Sequence, residues 1–205
     1  MTVSDFPVLT RSKRVSPKTL DILKRIDTMI ANRDKATEAL AAEIGETEIA
    51  SLPQIVEEAC GPAHPELVKV LHKIAVLYHA TYRIDKAKAT YRKAVSCAEE
   101  AFPLPTLEVG ILLSNFGRLM YEQKSFVEAE DLYMRALEVL KQAVGPQHRK
   151  LATPMSNLSV LYQEIGEHEL SRTYLQDMIA LLELSLGPNH RKVIQAKERL
   201  AVLRQ

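Results

Sequence analysis

An internal repeat constrains this chain of 205 residues more than any other feature of its sequence. The dipeptide Gly-Pro occurs at positions 145 and 187, an interval of 42 residues, and the same interval relates the earlier markers Gly61-Pro62 and Pro103 to this series. Apolar and small residues between the markers keep the same interval: Leu71, Leu113 and Met155; Tyr91, Tyr133 and Leu175; Ala94, Ala136 and Met178. A period of this length is typical of a supersecondary unit copied in tandem.

Each unit contains two helical patterns separated by a turn. In the second unit, Leu113, Phe116 and Met120 recur at spacings of three and four residues, which predicts one face of a helix. A second run with the same spacing begins at Ala129. Small residues such as Gly117 and Ala129 allow two helices to cross closely, because no branched side chain separates their backbones. We therefore expect an all-α chain built from helix-turn-helix hairpins.

The markers divide the chain into predicted segments. A glycine at a helix end accepts a positive φ, and the proline that follows it cannot continue the helix. The connector residues His148 and His190 are interpreted as turn or cap residues. The expected segments are an extended N-terminal arm (1–15), a helical cap with a degenerate half-repeat (16–60), three repeats (61–102, 103–144 and 145–186) and a C-terminal capping helix (187–205).

Composition excludes several classes of function. The 27 basic and 26 acidic residues give a formal net charge of +1, which argues against a protein that grips nucleic acid or an anionic membrane surface. No apolar run approaches 18 residues, so we expect no membrane insertion. The chain is long enough for one globular domain, and its two cysteines cannot form a disulfide framework. No metal, cofactor or catalytic motif is present, so we expect a protein that is not an enzyme.

The repeat resembles a known family. The string from Ser125 to Leu137 and the connector Gly145-Pro146-Gln147-His148 are similar to the tetratricopeptide repeat, in the 42-residue form found in kinesin light chains. The resemblance implies a right-handed α-solenoid. In such a solenoid the first helix of each repeat lines the concave wall, and a partner peptide or helix is bound there.

The register of the repeats then gives candidate residues for that groove. They are Lys69, His72, Lys73, Asn115, Arg118, Tyr121, Asn157 and Gln163. Asn115 and Asn157 occupy the same column, and an asparagine amide can both donate to and accept from a peptide backbone. The resemblance implies that these two asparagines hold the backbone of a bound peptide. The alternative is that they bond to the neighbouring helix of their own chain.

A second candidate surface lies on the outer helix of the third repeat. Ala180 and Leu184 occupy the positions that Glu138 and Gln142 occupy in the preceding repeat. The helix face that is polar in the second repeat is therefore apolar in the third. The alternative is that the C-terminal helix covers this face.

These features support two functional hypotheses. The first is a scaffold or adaptor that binds a protein partner in its groove. The second is a subunit or assembly factor of a large complex, docked through its outer surface and N-terminal arm. We expect a cytoplasmic protein. The alternative is import into an organelle, because the basic run from Arg11 to Arg14 resembles part of a transit sequence.

Overall fold

The computed structural model describes residues 7–12, 15–32 and 45–203. Over these residues it contains ten α-helices, one 3-10 helix (Arg149–Leu151) and no strand, which confirms the all-α prediction. The α-helices are α1 (Pro7–Arg11), α2 (Pro17–Asn32), α3 (Glu46–Cys60), α4 (Pro65–Ala80), α5 (Ile84–Ala101), α6 (Leu107–Glu122), α7 (Phe126–Val144), α8 (Ala152–Glu164), α9 (His168–Leu186) and α10 (Arg191–Val202).

The chain forms two compact units rather than the single domain that its length suits. The first is Met1–Pro103 and the second is Leu104–Gln205. The first contains the hairpin of α4 and α5, and the second contains the hairpins of α6 with α7 and of α8 with α9. Division of this kind is natural for a repeat protein, because each repeat packs only on its neighbours.

A close crossing of two helices forms the core of the second repeat. Gly117 of α6 lies against the ring of Tyr133 in α7, and a Cβ added at Gly117 would come within 2.7 Å of that ring. Gly110 is in the same position with respect to Leu140, whose Cγ would lie 2.4 Å from an added Cβ. Tyr133 and Leu140 are both buried. Gly117, which the sequence placed in the small-residue column, therefore lies at a close contact between α6 and α7.

All three hairpins use the same turn between their helices. In each turn a backbone N–H bonds to a carbonyl five residues earlier, which is the Schellman arrangement of a helix C-terminus. The donor and acceptor pairs are Arg83 and Tyr78 at 2.8 Å, Ser125 and Met120 at 2.9 Å, and Glu167 and Tyr162 at 2.8 Å. The residue before each donor has a positive φ. Only the third hairpin places a glycine there, Gly166, where the other two have Tyr82 and Lys124.

A side-chain cap stands at the start of α4, of α6, of α10 and of the 3-10 helix that leads into α8. Thr106 Oγ1 accepts the backbone N–H of Val109, and a histidine Nδ1 accepts the backbone N–H two residues later at each of the other starts. The histidines are His64, His148 and His190. This confirms the interpretation of His148 and His190 as cap residues.

The N-terminal segment differs from the extended arm that we expected. Residues 7–11 form the short helix α1, and both carboxylate oxygens of Glu66 accept backbone N–H groups from it. The distances are 2.7 Å to the nitrogen of Val8 and 2.9 Å to that of Leu9. Glu66 is 3% exposed and Leu9 is fully buried. These contacts pack α1 on its own unit, while residues 1–6 and 13–14 of the predicted arm lie outside the described residues.

The close crossing at Gly117 gives a testable expectation. Gly117→Ala forces a methyl group into the ring of Tyr133, so we expect the free energy of unfolding to fall by about 1–3 kcal/mol. Urea denaturation measures this change, with Gln142→Ala at an exposed position of α7 as the control, expected within about 0.5 kcal/mol of the parent. Equal stability of Gly117→Ala and the parent chain would contradict the packing described.

Candidate functional site

In the first unit, part of the predicted groove face contacts another helix of the same unit. Lys73 of α4 forms an ion pair with Asp27 of α2, and the two side chains are only 13% and 14% exposed. α2 packs on α4 through this pair and through the buried side chains of Leu23 and Ile26. Lys73, which aligns with Asn115 one repeat later, is therefore paired with another helix of the same chain. Lys69, one turn earlier, is partly buried.

His72 lies beside Lys73 and packs against a core ring. Its imidazole centroid is 6.2 Å from that of Tyr91, which is fully buried in α5. Burial, with a smaller contribution from the Lys73 charge, lowers the pKa of His72 from 6.5 to about 4. His72 is therefore neutral near pH 7, and it adds no positive charge to this face.

In the second unit, the two predicted asparagines occupy equivalent places. Asn115 lies on α6 and Asn157 on α8, and these two helices contact each other. Both side chains are half-buried. Each stands next to a core residue of its own helix, Phe116 or Leu158, so the register of the buried face fixes the register of the amides.

The other predicted groove residues of this unit differ in their surroundings. Arg118 Nε lies 3.8 Å from the carboxylate of Glu122, one turn later on the same helix. The ring of Tyr121 packs against Phe126, with 5.8 Å between ring centroids. Gln163, at the end of α8, is exposed. The charge of Arg118 is therefore partly balanced by Glu122, and Tyr121 packs at the turn that leads into α7.

A cleft of about 710 Å³ opens between α8, α9 and α10. Asn157 lines it together with Thr153 and Ser156, two further polar residues of the same face of α8. Leucine and methionine side chains of α9 form its apolar part: Leu175, Met178, Leu182 and Leu186. The predicted groove face thus continues into a cavity bounded by the C-terminal helix.

Four cationic residues also line this cleft, and none of them was among the predicted site residues. They are Arg149, Lys150, Lys192 and Arg199. A signal for three of the positions is present in the sequence, because the tripeptide His-Arg-Lys recurs at 148–150 and 190–192. The contribution of Arg199 depends on how α10 packs, which the periodicity does not reveal.

The predicted outer surface is open to solvent. Leu184 is 66% exposed and Ala180 is exposed beside it. α10 packs instead on another face of α9, where Val193 and Ala196 join the core cluster around Leu175. The alternative in which the C-terminal helix covers Ala180 and Leu184 is not what the structure shows.

Among the described residues, no group of three or more His, Cys, Asp or Glu side chains lies close enough to hold a metal ion. None of the helices in these ranges has the length and apolar character needed to span a membrane. Cys60 and Cys97 are free thiols, and the Sγ of Cys97 donates to the carbonyl of Pro62 at 3.2 Å.

Comparison with known families agrees with the repeat geometry. Two profiles of the tetratricopeptide repeat match the chain, over residues 108–184 and 68–100, and together they cover more than half of it. The chain belongs to the tetratricopeptide repeat family. Its fold is therefore an all-α solenoid type, and its repeats are of the kind that mediates protein–protein interaction.

Curated relatives of this tetratricopeptide protein include clustered mitochondria protein homologs from fungi. That of Ajellomyces capsulatus is 29% identical over 136 residues, which is 65% of this chain and 11% of the relative. That of Coccidioides immitis is 28% identical over 136 residues, with 65% and 10% covered. The chain thus spans about a tenth of the length of these relatives.

Solved structures give the same fold. A Podosopora anserina putative kinesin light chain with nearly identical tetratricopeptide-like repeats superposes with a TM-score of 0.74 at 12% identity, covering 92% of this chain and 87% of the other. BtubC (BKLC) from P. vanneervenii gives a TM-score of 0.62 at 20% identity, covering 87% and 82%. These similarities agree with the kinesin-light-chain type of repeat.

The pKa of His72 predicts a pH dependence of stability. Between pH 6.5 and about 4, the unfolded chain binds a proton at His72 that the folded chain does not bind. The free energy of unfolding therefore falls as the pH falls through this window. We expect the parent chain to lose on the order of 2 kcal/mol more than His72→Gln across it, measured by urea unfolding at several pH values. Parallel profiles for the two proteins would show that His72 does not titrate in this way.

Proposed function

We propose that this protein is a non-enzymatic scaffold that binds an extended segment of a partner protein along the first-helix face of its second unit. The first-helix face is defined by Asn115 of α6 and by Thr153, Ser156 and Asn157 of α8. The cytoplasm is the location that we propose for it.

The observation that carries the proposal is the equivalent placement of Asn115 and Asn157. An extended peptide has unpaired backbone N–H and C=O groups, and each must find a partner when it leaves water. An asparagine amide offers a donor and an acceptor at once, so two amides one repeat apart suit two points along one backbone. The cleft beside Asn157 adds room for the side chains of such a peptide.

In the first unit, Lys69, His72 and Lys73 remain predicted groove residues. The ion pair between Lys73 and Asp27 favours a structural role for Lys73. We therefore assign the main binding role to the second unit.

Removing the two amides tests this proposal. The double variant Asn115→Ala with Asn157→Ala loses a pair of hydrogen-bonding side chains, which predicts binding weaker by about tenfold or more. Partner proteins captured from native extract by the parent chain and by the variant are compared by quantitative mass spectrometry.

The matched control removes two amides elsewhere, with Gln142→Ala and Gln147→Ala, both at exposed positions. Circular dichroism establishes that all three proteins are folded. Equal partner recovery by the parent and by the folded asparagine variant would refute the proposal.

A second candidate function is supported by the exposed pair Ala180 and Leu184. An exposed leucine beside an exposed alanine on one helix is the start of an apolar contact surface, which suits a subunit held in a larger complex. The N-terminal arm contributes less to this hypothesis than its sequence suggested, because Leu9 is buried in its own unit.

The test for this outer surface introduces charge. Ala180→Glu with Leu184→Glu should release the protein from its complex, because burying two carboxylates in an apolar interface is costly. Thr173→Glu with Gln176→Glu adds the same charge at other exposed positions of α9 and should leave the complex intact. Co-elution from a sizing column measures both, and unchanged elution of the Ala180 and Leu184 variant would exclude this surface.

A further inference from the structure

The cleft between α8, α9 and α10 carries an uncompensated positive charge. Four cationic side chains line it, Arg149, Lys150, Lys192 and Arg199, and no Asp or Glu is among its lining residues. Over the described ranges 7–12, 15–32 and 45–203, no carboxylate lies within ion-pair distance of any of the four. This contrasts with other cations of the same unit, such as Lys124, which pairs with Glu164 at 2.8 Å.

Three of these cations lie near helix N-termini, where a positive charge is unfavourable. Arg149 and Lys150 lie at the start of the third repeat, and Lys192 lies in the first turn of α10. The N-terminus of a helix carries a partial positive charge, so a cation there is unfavourable and an acidic residue is preferred. The first helices of the other two repeats follow that preference, with Glu66 and Glu108 in their first turns. Among the first helices of the three repeats and α10, the two starts that reverse the preference are the two beside the cleft.

Arg199 completes the set from the opposite end of α10. Its Nη2 donates to the Oγ of Ser159 at 3.0 Å, which holds the guanidinium at the cleft wall. Burial lowers the pKa of Arg199, so this charge has lost part of its hydration without gaining an anionic partner within the described chain. The side chain is therefore placed to gain free energy from an incoming anion.

The rest of the lining decides which anionic ligand fits. Leu182 and Leu186 present apolar surface in the same cleft, and Asn157 and Gln195 add amides. Nucleic acid would call for an extended basic surface and stacking rings, whereas this lining contains no aromatic ring other than the imidazole of His190. A peptide that carries both carboxylates and apolar side chains matches the cations, the amides and the leucines together.

We propose that the cleft between α8 and α10 binds an acidic segment of the partner, whose carboxylates contact Arg149, Lys150, Lys192 and Arg199 while its apolar side chains pack on Leu182 and Leu186. This inference rests on the proposed function, because it assigns the chemistry of the partner segment that continues from the first-helix face. It adds a selectivity for acidic sequence that the asparagine amides alone do not supply.

The experiment uses a synthetic probe, since it needs no identified partner. A short fluorescein-labelled peptide that contains Glu and Leu in equal number is titrated with the full chain, and fluorescence anisotropy reports binding. A second peptide has Gln in place of every Glu. The acidic peptide should bind about fivefold tighter or more, and raising the salt concentration should reduce that difference.

Two matched variants locate the site. Lys150→Gln with Lys192→Gln removes two cations of the cleft, and Lys141→Gln with Arg191→Gln removes two exposed cations outside its lining. The first variant should weaken binding of the acidic peptide by about fivefold, and the second should leave it unchanged. None of these four side chains is in the core, so both variants should fold.

Several results would overturn the inference. Equal affinity for the Glu and Gln peptides, or binding of neither, removes the acidic selectivity. Equal loss in both variants shows attraction by overall charge rather than by the cleft. A single-stranded oligonucleotide of equal charge that binds more tightly and displaces the peptide shows that the site takes nucleic acid. If the two peptides bind equally but the Asn115 and Asn157 variant weakens both, the proposed function stands and only this inference fails.

Discussion

The close approach of two helices at a residue without a side chain is the contact on which the rest of this structure depends. Gly117 allows the ring of Tyr133 to lie against the backbone of α6, and Gly110 does the same for Leu140. These contacts fix the rotation of α6 about its axis. Once that rotation is fixed, Leu113, Phe116 and Met120 are buried, and Asn115 is placed outside the core of the hairpin. The polar column that we propose as a binding site is thus a consequence of core packing.

The repeat also determines how each hairpin uses its apolar and polar residues. Each hairpin uses most of its apolar residues to bury its own two helices, and its polar residues are distributed between caps, turns and the first-helix face. His148 and His190 cap helix starts, and Tyr162 donates to Glu130 at 2.6 Å within the packing of the second unit. The groups that line the cleft of the second unit include amides, hydroxyls and cations. Such groups can bind and orient a ligand, which agrees with the scaffold function that we propose.

The sequence predicts what is local and periodic in this fold, and it fails where distant segments meet. The hairpins, the caps at His148 and His190 and the small-residue contact at Gly117 follow from spacing alone. The helix α1 does not, because Glu66 stabilises it from 58 residues away. For the same reason, the pairing of Lys73 with Asp27 and the position of Arg199 in the cleft depend on how whole helices pack. Periodicity carries no information about those contacts.

The most direct measurement of where a partner lies is site-specific photocrosslinking. A benzoylphenylalanine residue is placed either at Thr153, on the first-helix face of α8, or at Thr173, on the exposed side of α9. If the first-helix face is the binding surface, irradiation with bound partner should give a crosslinked product from position 153 and none from position 173. Crosslinking from position 173 alone would contradict this account, because the partner would then lie on the other helix of the hairpin.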